Sequence, residues 1–173
     1  FFVRSEVAGV GKNTSVSRAA TRTKQILDWA TDEFTSNDKV IFCGTKKLVT
    51  ALKQEASSRQ FRFEFETMHW GCIDGRNDLD EYNKIVFISL PFPPTNYHEQ
   101  SIIAMGLEDE LLNDNLSEYR QDANASYIAT KVSQAATRDI KRKVLTNLGD
   151  CAPCAVYLIV SGGQTSASAD IDE

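Results

Sequence analysis

Three short apolar runs, KVIFC at residues 39–43, KIVFISL at 84–90 and AVYLIV at 155–160, most limit what this chain can become. Each is apolar at successive positions, so a strand made from it presents apolar side chains on both faces. Such strands are stable only with a covering layer above and below the sheet. A fourth segment, FRFEFETMHW at 61–70, sets Phe61, Phe63 and Phe65 against Arg62, Glu64 and Glu66, the period-2 pattern of a strand.

The intervening segments have helical spacing. Residues 16–35 place Ala20, Ile26, Leu27, Trp29, Ala30 and Phe34 along a helix, with Ser15 or Ser17 as N-cap. In TKKLVTALKQEASS, residues 45–58, Leu48, Val49, Leu52 and Ala56 form one apolar stripe. A helical region over about 97–119 precedes a last helix over about 124–145, where Ile128, Val132, Ala136, Ile140 and Val144 mark the buried face. Strands alternating with helices imply an α/β domain whose parallel sheet is covered on both faces. With 173 residues, 42% of them hydrophobic, the chain can bury one core. The expected division is a connecting segment at 1–15, a domain at 16–161 and a disordered tail at 162–173, which has no apolar pattern.

Charge narrows the partners. Asp and Glu number 24 against 19 Lys and Arg, a formal net charge of −5. That balance excludes a pervasively basic surface but leaves room for a local cationic groove. Acidic residues crowd 108–122, a solvated helix face, while Lys131, Arg138, Lys141, Arg142 and Lys143 follow downstream. No run of eighteen apolar residues and no leader sequence is present, so the expectation is an intracellular protein without a membrane partner, cytoplasmic or, in a eukaryote, nuclear. The pair Cys151 and Cys154 has the CxxC spacing of a zinc or redox motif, but a closed zinc site needs four ligands. Cys43 and Cys72 are isolated at expected strand ends, and no βαβ unit starts at the pair, so no metal is expected.

In parallel sheets the functional loops follow the carboxyl ends of strands. That rule selects Gly44-Thr45-Lys46-Lys47, the loop Gly71 to Glu81, and Leu90-Pro91-Phe92-Pro93-Pro94. A phosphate-binding loop is the natural search, and AGVGKNTS at 8–15 comes nearest. Asn13 stands where Ser or Thr would follow the Gly-Lys pair, Glu6 stands at the first Gly position, and only a very short apolar start precedes it. It therefore reads as a connection.

Four motifs in order give a further reading. KVIFCGTKKLVTAL runs a strand into a Thr-containing helix start; HWGCIDGRNDL is a polar, Gly-containing loop; IVFISLPFPP is a strand with a proline-rich exit; and SQAATRDIKR sets Gln134, Arg138, Lys141 and Arg142 three and four residues apart on one helix. Over residues 16–161 this order resembles the second, C-terminal RecA-like domain of superfamily 2 helicases, most closely the XPD/DinG-like branch. The segments are similar to motif IV, motif V with the strand that follows it, and motif VI. Thr137 replaces the motif VI glycine, Lys141 holds the usual second arginine place with Arg142 one residue beyond, and Gly71-Cys72 replaces Glu-Gly of motif V.

The resemblance implies a three-layer RecA-like fold with a mainly parallel central sheet. It implies an ATP-dependent helicase whose ATP and Mg2+ are held mainly by an N-terminal RecA-like domain of the same parent. Arg138, with Lys141 or Arg142, would be the arginine fingers reaching the γ-phosphate. Gln134, Asp74 and Gly75 would lie at the nucleotide, and Thr45, Lys46 and Asn77 would contact single-stranded nucleic acid, DNA in preference to RNA. Read from its residues alone, Asp74 has the alternative of a turn-stabilising aspartate, and Trp70 reads as a packing residue. Two other classes stay open: a catalytically inactive RecA-like scaffold in a replication or repair complex, and a small-molecule-binding α/β domain unrelated to helicases.

The cysteine reading is testable directly. Elemental analysis of the purified chain should find no stoichiometric zinc, and chelators should leave its melting temperature unchanged; about one zinc per chain would establish a structural site.

Overall fold

The computed structural model describes residues 2–7, 16–73, 76, 78–79, 81–94, 96–104, 106, 116–139 and 153–161. Five strands form one sheet: β1 (Phe2–Val7), β2 (Lys39–Gly44), β3 (Glu64–His69), β4 (Lys84–Phe87) and β5 (Ala155–Ser161). Their order is β1-β5-β4-β2-β3, and every neighbouring pair is parallel. The helices are α1 (Val16–Glu33), α2 (Lys46–Ala56), α3 (Tyr97–Ala104) and α4 (Leu116–Gln134), the last passing into a π-helical turn at Ala135–Asp139.

The doubly apolar strands do what their composition requires. Alternate residues of each strand go to opposite faces. Val40 and Phe42 of β2, Val86 of β4, and Tyr157 and Ile159 of β5 share one buried cluster with Ala19, Ile26, Leu27 and Ala30 of α1 and Leu48, Val49, Leu52 and Ala56 of α2. Ile41 and Cys43, Ile85 and Phe87, and Val156 join a second cluster on the other face. Ile73 and Leu79 from the β3–β4 connection and Ala135 and Ala136 from the π-helical turn cover that second cluster. The result is a three-layer α/β domain of the RecA-like type. No helix among the described residues is long and apolar enough to cross a membrane.

Several sequence expectations are corrected in detail. The connecting segment expected over 1–15 contains a strand, since Phe2–Val7 pairs with β5 at one edge of the sheet. Six residues are enough for a strand when a neighbour supplies the ladder, but too few to show a period. The break expected between helices near 119–124 is absent: α4 begins at Leu116 and runs through RQDA, which holds neither Gly nor Pro to stop it. Its later half passes at Gln134 into the π-helical turn, which is described to Asp139; the expected end near 145 lies outside the described residues. On the expected apolar face Ile128 and Val132 are half-buried and Ala136 is buried; Ile140 and Val144 lie outside the described residues. β3 starts at Glu64, three residues later than the Phe alternation suggests. Phe61 and Phe63 instead turn into an aromatic cluster with Phe65, the three ring centroids 5.2–6.0 Å apart. The tail at 162–173 and the Gly-containing run at 8–15 lie outside the described residues.

Phe34 is the hinge pin of the first cluster. It is fully buried just after α1, and its ring meets Trp29, Phe63 and Tyr157 edge-on at 5.3, 5.3 and 5.4 Å. Edge-to-face contacts of this kind add to the stabilisation from burial. Phe34→Ala should therefore cost about 3–5 kcal/mol, read as a lowered midpoint in urea unfolding followed by circular dichroism.

Candidate functional site at the carboxyl edge of the sheet

The strand order places the site. After β2 the chain crosses through α2 to β3 on one side; after β4 it proceeds to β5 on the other. The loops leaving β2 and β4 therefore diverge, α2 packing on one face of the sheet and the end of α4 on the other. A crevice opens at such a switch point, just beyond the carboxyl ends of the strands, and open α/β sheets bind their ligands there.

Gly44 and Ser89 form the walls of that crevice. A Cβ on Gly44 would sit 2.6 Å from Ile88 Cγ1 and 3.0 Å from Ser89 Oγ, so only glycine lets β2 and β4 approach this closely. The Thr45 amide donates to Ser89 Oγ at 2.8 Å, and the Ile88 amide donates to the Cys43 carbonyl at 2.8 Å. Thr45 is the N-cap of α2 in an extended conformation, and its hydroxyl makes no capping hydrogen bond. Lys46 and Lys47 follow in the first turn, both exposed, and that turn holds no acidic residue. Positive charge at a helix amino terminus opposes the helix dipole, whereas an anion there is favoured.

Trp70 closes the β3 side. Its amide donates to the Gly44 carbonyl at 2.9 Å and its Nε1 donates to the Ser89 carbonyl at 3.1 Å. The indole stacks on Phe87, centroids 5.1 Å apart with planes inclined by 9°. Trp70 is thus a packing residue that ties three strand ends together.

Arg22 lies underneath, buried among apolar neighbours on α1. Its Nη2 donates to the carbonyls of Ile88 at 3.0 Å and Ile159 at 3.2 Å, clamping the residue just past β4 to the later part of β5. Burial pulls its guanidinium down to about 10, so it still carries a charge at neutral pH. A fixed cation therefore sits directly behind the crevice.

The opposite edge has a different character. At the amino ends of the strands Lys39 pairs with Glu64 and Glu81 at 3.3 and 2.9 Å, Lys84 with Asp38 at 3.7 Å, and Asn83 Oδ1 accepts from the Lys39 amide. Those polar groups satisfy one another. Cys154 is also at that end, immediately before β5, with β2, β3 and β4 running their full length between it and the turn that holds Cys72.

The expected site residues divide accordingly. Thr45 and Lys46 stand at the switch point. Gln134 is half-buried at the last residue of α4, beside Ala135 and Ala136 in the layer that covers Cys43 and Phe87. The backbone of Arg138 belongs to the π-helical turn. Asp74, Gly75, Asn77, Lys141 and Arg142 lie outside the described residues. Around the first three, Ile73 and Leu79 anchor the loop in the second cluster, and Arg76 forms a fork with Asp78 through Nε at 2.5 Å and through Nη2. The Arg76 hydrogen bond holds the Asp78 carboxyl below its ordinary value. Ser89 and Arg22 were not legible as site residues. For Arg22 a signal existed: it falls in the same register as Ala19, Ile26 and Ala30, so a charge occupies the buried stripe of α1.

A solved XPD helicase chain has this architecture. The two align with a TM-score of 0.56 at 13% identity, over 92% of this chain and 31% of that one. The fold is helicase-like. No protein-family model matches the chain, and no curated protein is similar to it in sequence. The chain spans less than a third of the helicase chain it aligns with. AGVGKNTS now follows a strand and precedes α1, which removes one ground for reading it as a mere connection; the mismatches at Glu6 and Asn13 still separate it from a phosphate-binding loop.

The crevice makes a stability prediction. Gly44→Ala must push Ile88, which is packed and cannot swing aside, and should cost about 1–3 kcal/mol in urea unfolding. Ser89→Ala leaves the Thr45 amide without its acceptor and should cost about 1–3 kcal/mol if water does not replace the hydroxyl.

Proposed function

We propose that this chain is the C-terminal motor domain of an ATP-dependent nucleic-acid helicase or translocase. It would form one wall of a cleft whose other wall is a Walker A-bearing RecA-like domain of the same parent protein. The observation that carries this reading is the switch point at Thr45 and Ser89, on a sheet whose fold is helicase-like. ATP is the substrate in this scheme. The exposed lysines and amino-terminal amides of α2 suit a phosphate anion. By the helicase resemblance, Mg2+ would be held mainly by the other domain.

Roles follow from position and charge. Thr45, Lys46 and Asn77 would hold phosphates of a single strand, DNA more readily than RNA. Contacts of this kind position the strand without reading its sequence. Asp74 and Gly75 would lie toward the nucleotide, and Gln134 would couple domain closure to contact with it. Arg138 and a second cation would reach the γ-phosphate across the cleft, stabilising charge on the transferring phosphoryl group, a contribution of roughly 10³ to 10⁵ in rate.

The π-helical turn bears on which residue is the second finger. A π turn accommodates one residue more than an α turn and so shifts the register of whatever follows by one position. The Thr137 hydroxyl donates to the Ser133 carbonyl at 2.6 Å, a back-bond of the type that opens helices. In the motif VI pattern the second arginine stands seven residues after the glutamine, here Lys141. One extra residue in the turn would carry that place to Arg142, which favours Arg142 over Lys141 as the second cation in this reading.

In the parent protein, Arg138→Ala should lower nucleic-acid-stimulated ATP turnover by about 10³-fold or more while ADP affinity stays within a few-fold. Arg138→Lys should not rescue it, because a point charge cannot reproduce the planar fork. Arg142→Ala should be more damaging than Lys141→Ala. Unchanged turnover in Arg138→Ala, with circular dichroism showing a folded domain, would contradict the assignment; ATP-independent nucleic-acid binding alone would point to a scaffold.

A further inference from the structure

We propose that Cys72 and His69 form a reactive thiol–imidazole pair, a site of covalent modification by hydroperoxides and other soft electrophiles. The chemistry is independent of a motor role. His69 ends β3, and the turn His69-Trp70-Gly71-Cys72 is closed by the Cys72 amide donating to the His69 carbonyl at 2.9 Å. Gly71 occupies the third position with φ of 91°, a conformation that glycine adopts without strain. This turn brings Cys72 Sγ to 3.0 Å from His69 Nε2.

The other ring nitrogen fixes the direction of proton flow. His69 Nδ1 lies 2.9 Å from the Trp70 carbonyl, which can only accept, so Nδ1 carries the hydrogen. Nε2 is then the acceptor of the neutral ring, and it faces the thiol. The carbonyl orients the imidazole so that Nε2 can accept the thiol proton as the sulfur attacks, an arrangement in which a base is itself held by a third group. Trp70 is held in turn by its hydrogen bonds to Gly44 and Ser89 and by stacking on Phe87, so the orienting carbonyl is anchored to the sheet.

Accessibility separates this thiol from the others that are described. Cys72 is exposed, Cys154 is half-buried and Cys43 is buried in the second cluster. Two ligands do not make a metal site, and no third candidate side chain joins His69 and Cys72 among the described residues. With a hydroperoxide the step balances without another reagent. Cys72 sulfur attacks the distal peroxide oxygen, an S–O bond forms as the O–O bond breaks, and the imidazolium returns its proton to the leaving oxygen as water or alcohol. The sulfur is oxidised to sulfenic acid and the peroxide is reduced.

The test exposes the 173-residue chain to hydrogen peroxide at neutral pH with a sulfenic-acid trap and maps labelled peptides over time. Cys72 should react about a hundredfold faster in the folded chain than in the urea-unfolded chain, the low end of what a positioned proton carrier contributes. His69→Gln should remove that gain, and Cys43 and Cys154 should lag behind Cys72. A folded-to-unfolded ratio for Cys72 below about threefold would overturn the proposal, as would a folded His69→Gln chain that keeps the wild-type rate. The first comparison needs no substitution, so it decides the matter even if His69→Gln fails to fold.

Discussion

The contact on which the rest depends is the close approach of β2 and β4 at Gly44. These are the two strands from which the chain departs in opposite directions, and their separation sets the width of the crevice. With no Cβ on Gly44, Ile88 packs into the first cluster and Ser89 turns its hydroxyl to the Thr45 amide. Trp70 then bonds to both sides, to the Gly44 carbonyl and the Ser89 carbonyl. Arg22 ties Ile88 to the neighbouring strand β5 at Ile159. Each of these bonds joins a different element to the same few ångströms of backbone, so the carboxyl edge is rigid while its outward-facing groups remain polar.

Polarity is distributed unequally between the two edges for a physical reason. A parallel sheet with helices on its faces hides its hydrophobic surface completely and exposes strand ends only at its two rims. At the amino rim the ends are neutralised by local pairs such as Lys39 with Glu81 and Lys84 with Asp38. At the carboxyl rim backbone and hydroxyl bonds join Gly44, Thr45, Trp70 and Ser89 beside the amino-terminal turn of α2. The amino terminus of α2 points the positive end of its dipole at this rim.

Much of this was legible in the sequence, and the omissions have physical causes. KVIFC, KIVFISL and AVYLIV are strands because no helix could bury all of their faces in so few residues, and the stripe of α2 reads as a helix without context. β1 was invisible because six residues that mix Arg4, Ser5 and Glu6 with apolar neighbours show no period; only pairing with β5 makes them a strand. The division expected between the last helices is absent because nothing in RQDA breaks a helix. The π-helical turn, which contains the Thr137 to Ser133 back-bond, leaves no mark on the spacing of the apolar residues. Positions at the switch point were legible where they directly follow a strand in the sequence, as Thr45 and Lys46 do. They were missed where they act through distant backbone, as Arg22 does across 66 and 137 residues of sequence.

The central claim is that this domain holds only one side of a nucleotide cleft. ATP turnover by the purified chain, measured alone in the presence of single-stranded DNA, tests it most directly. The account predicts weak ATP binding and no hydrolysis, because the phosphate-binding loop and magnesium ligands would belong to the other domain. Turnover that co-elutes with the chain on gel filtration and is unaffected by Arg138→Ala would contradict it.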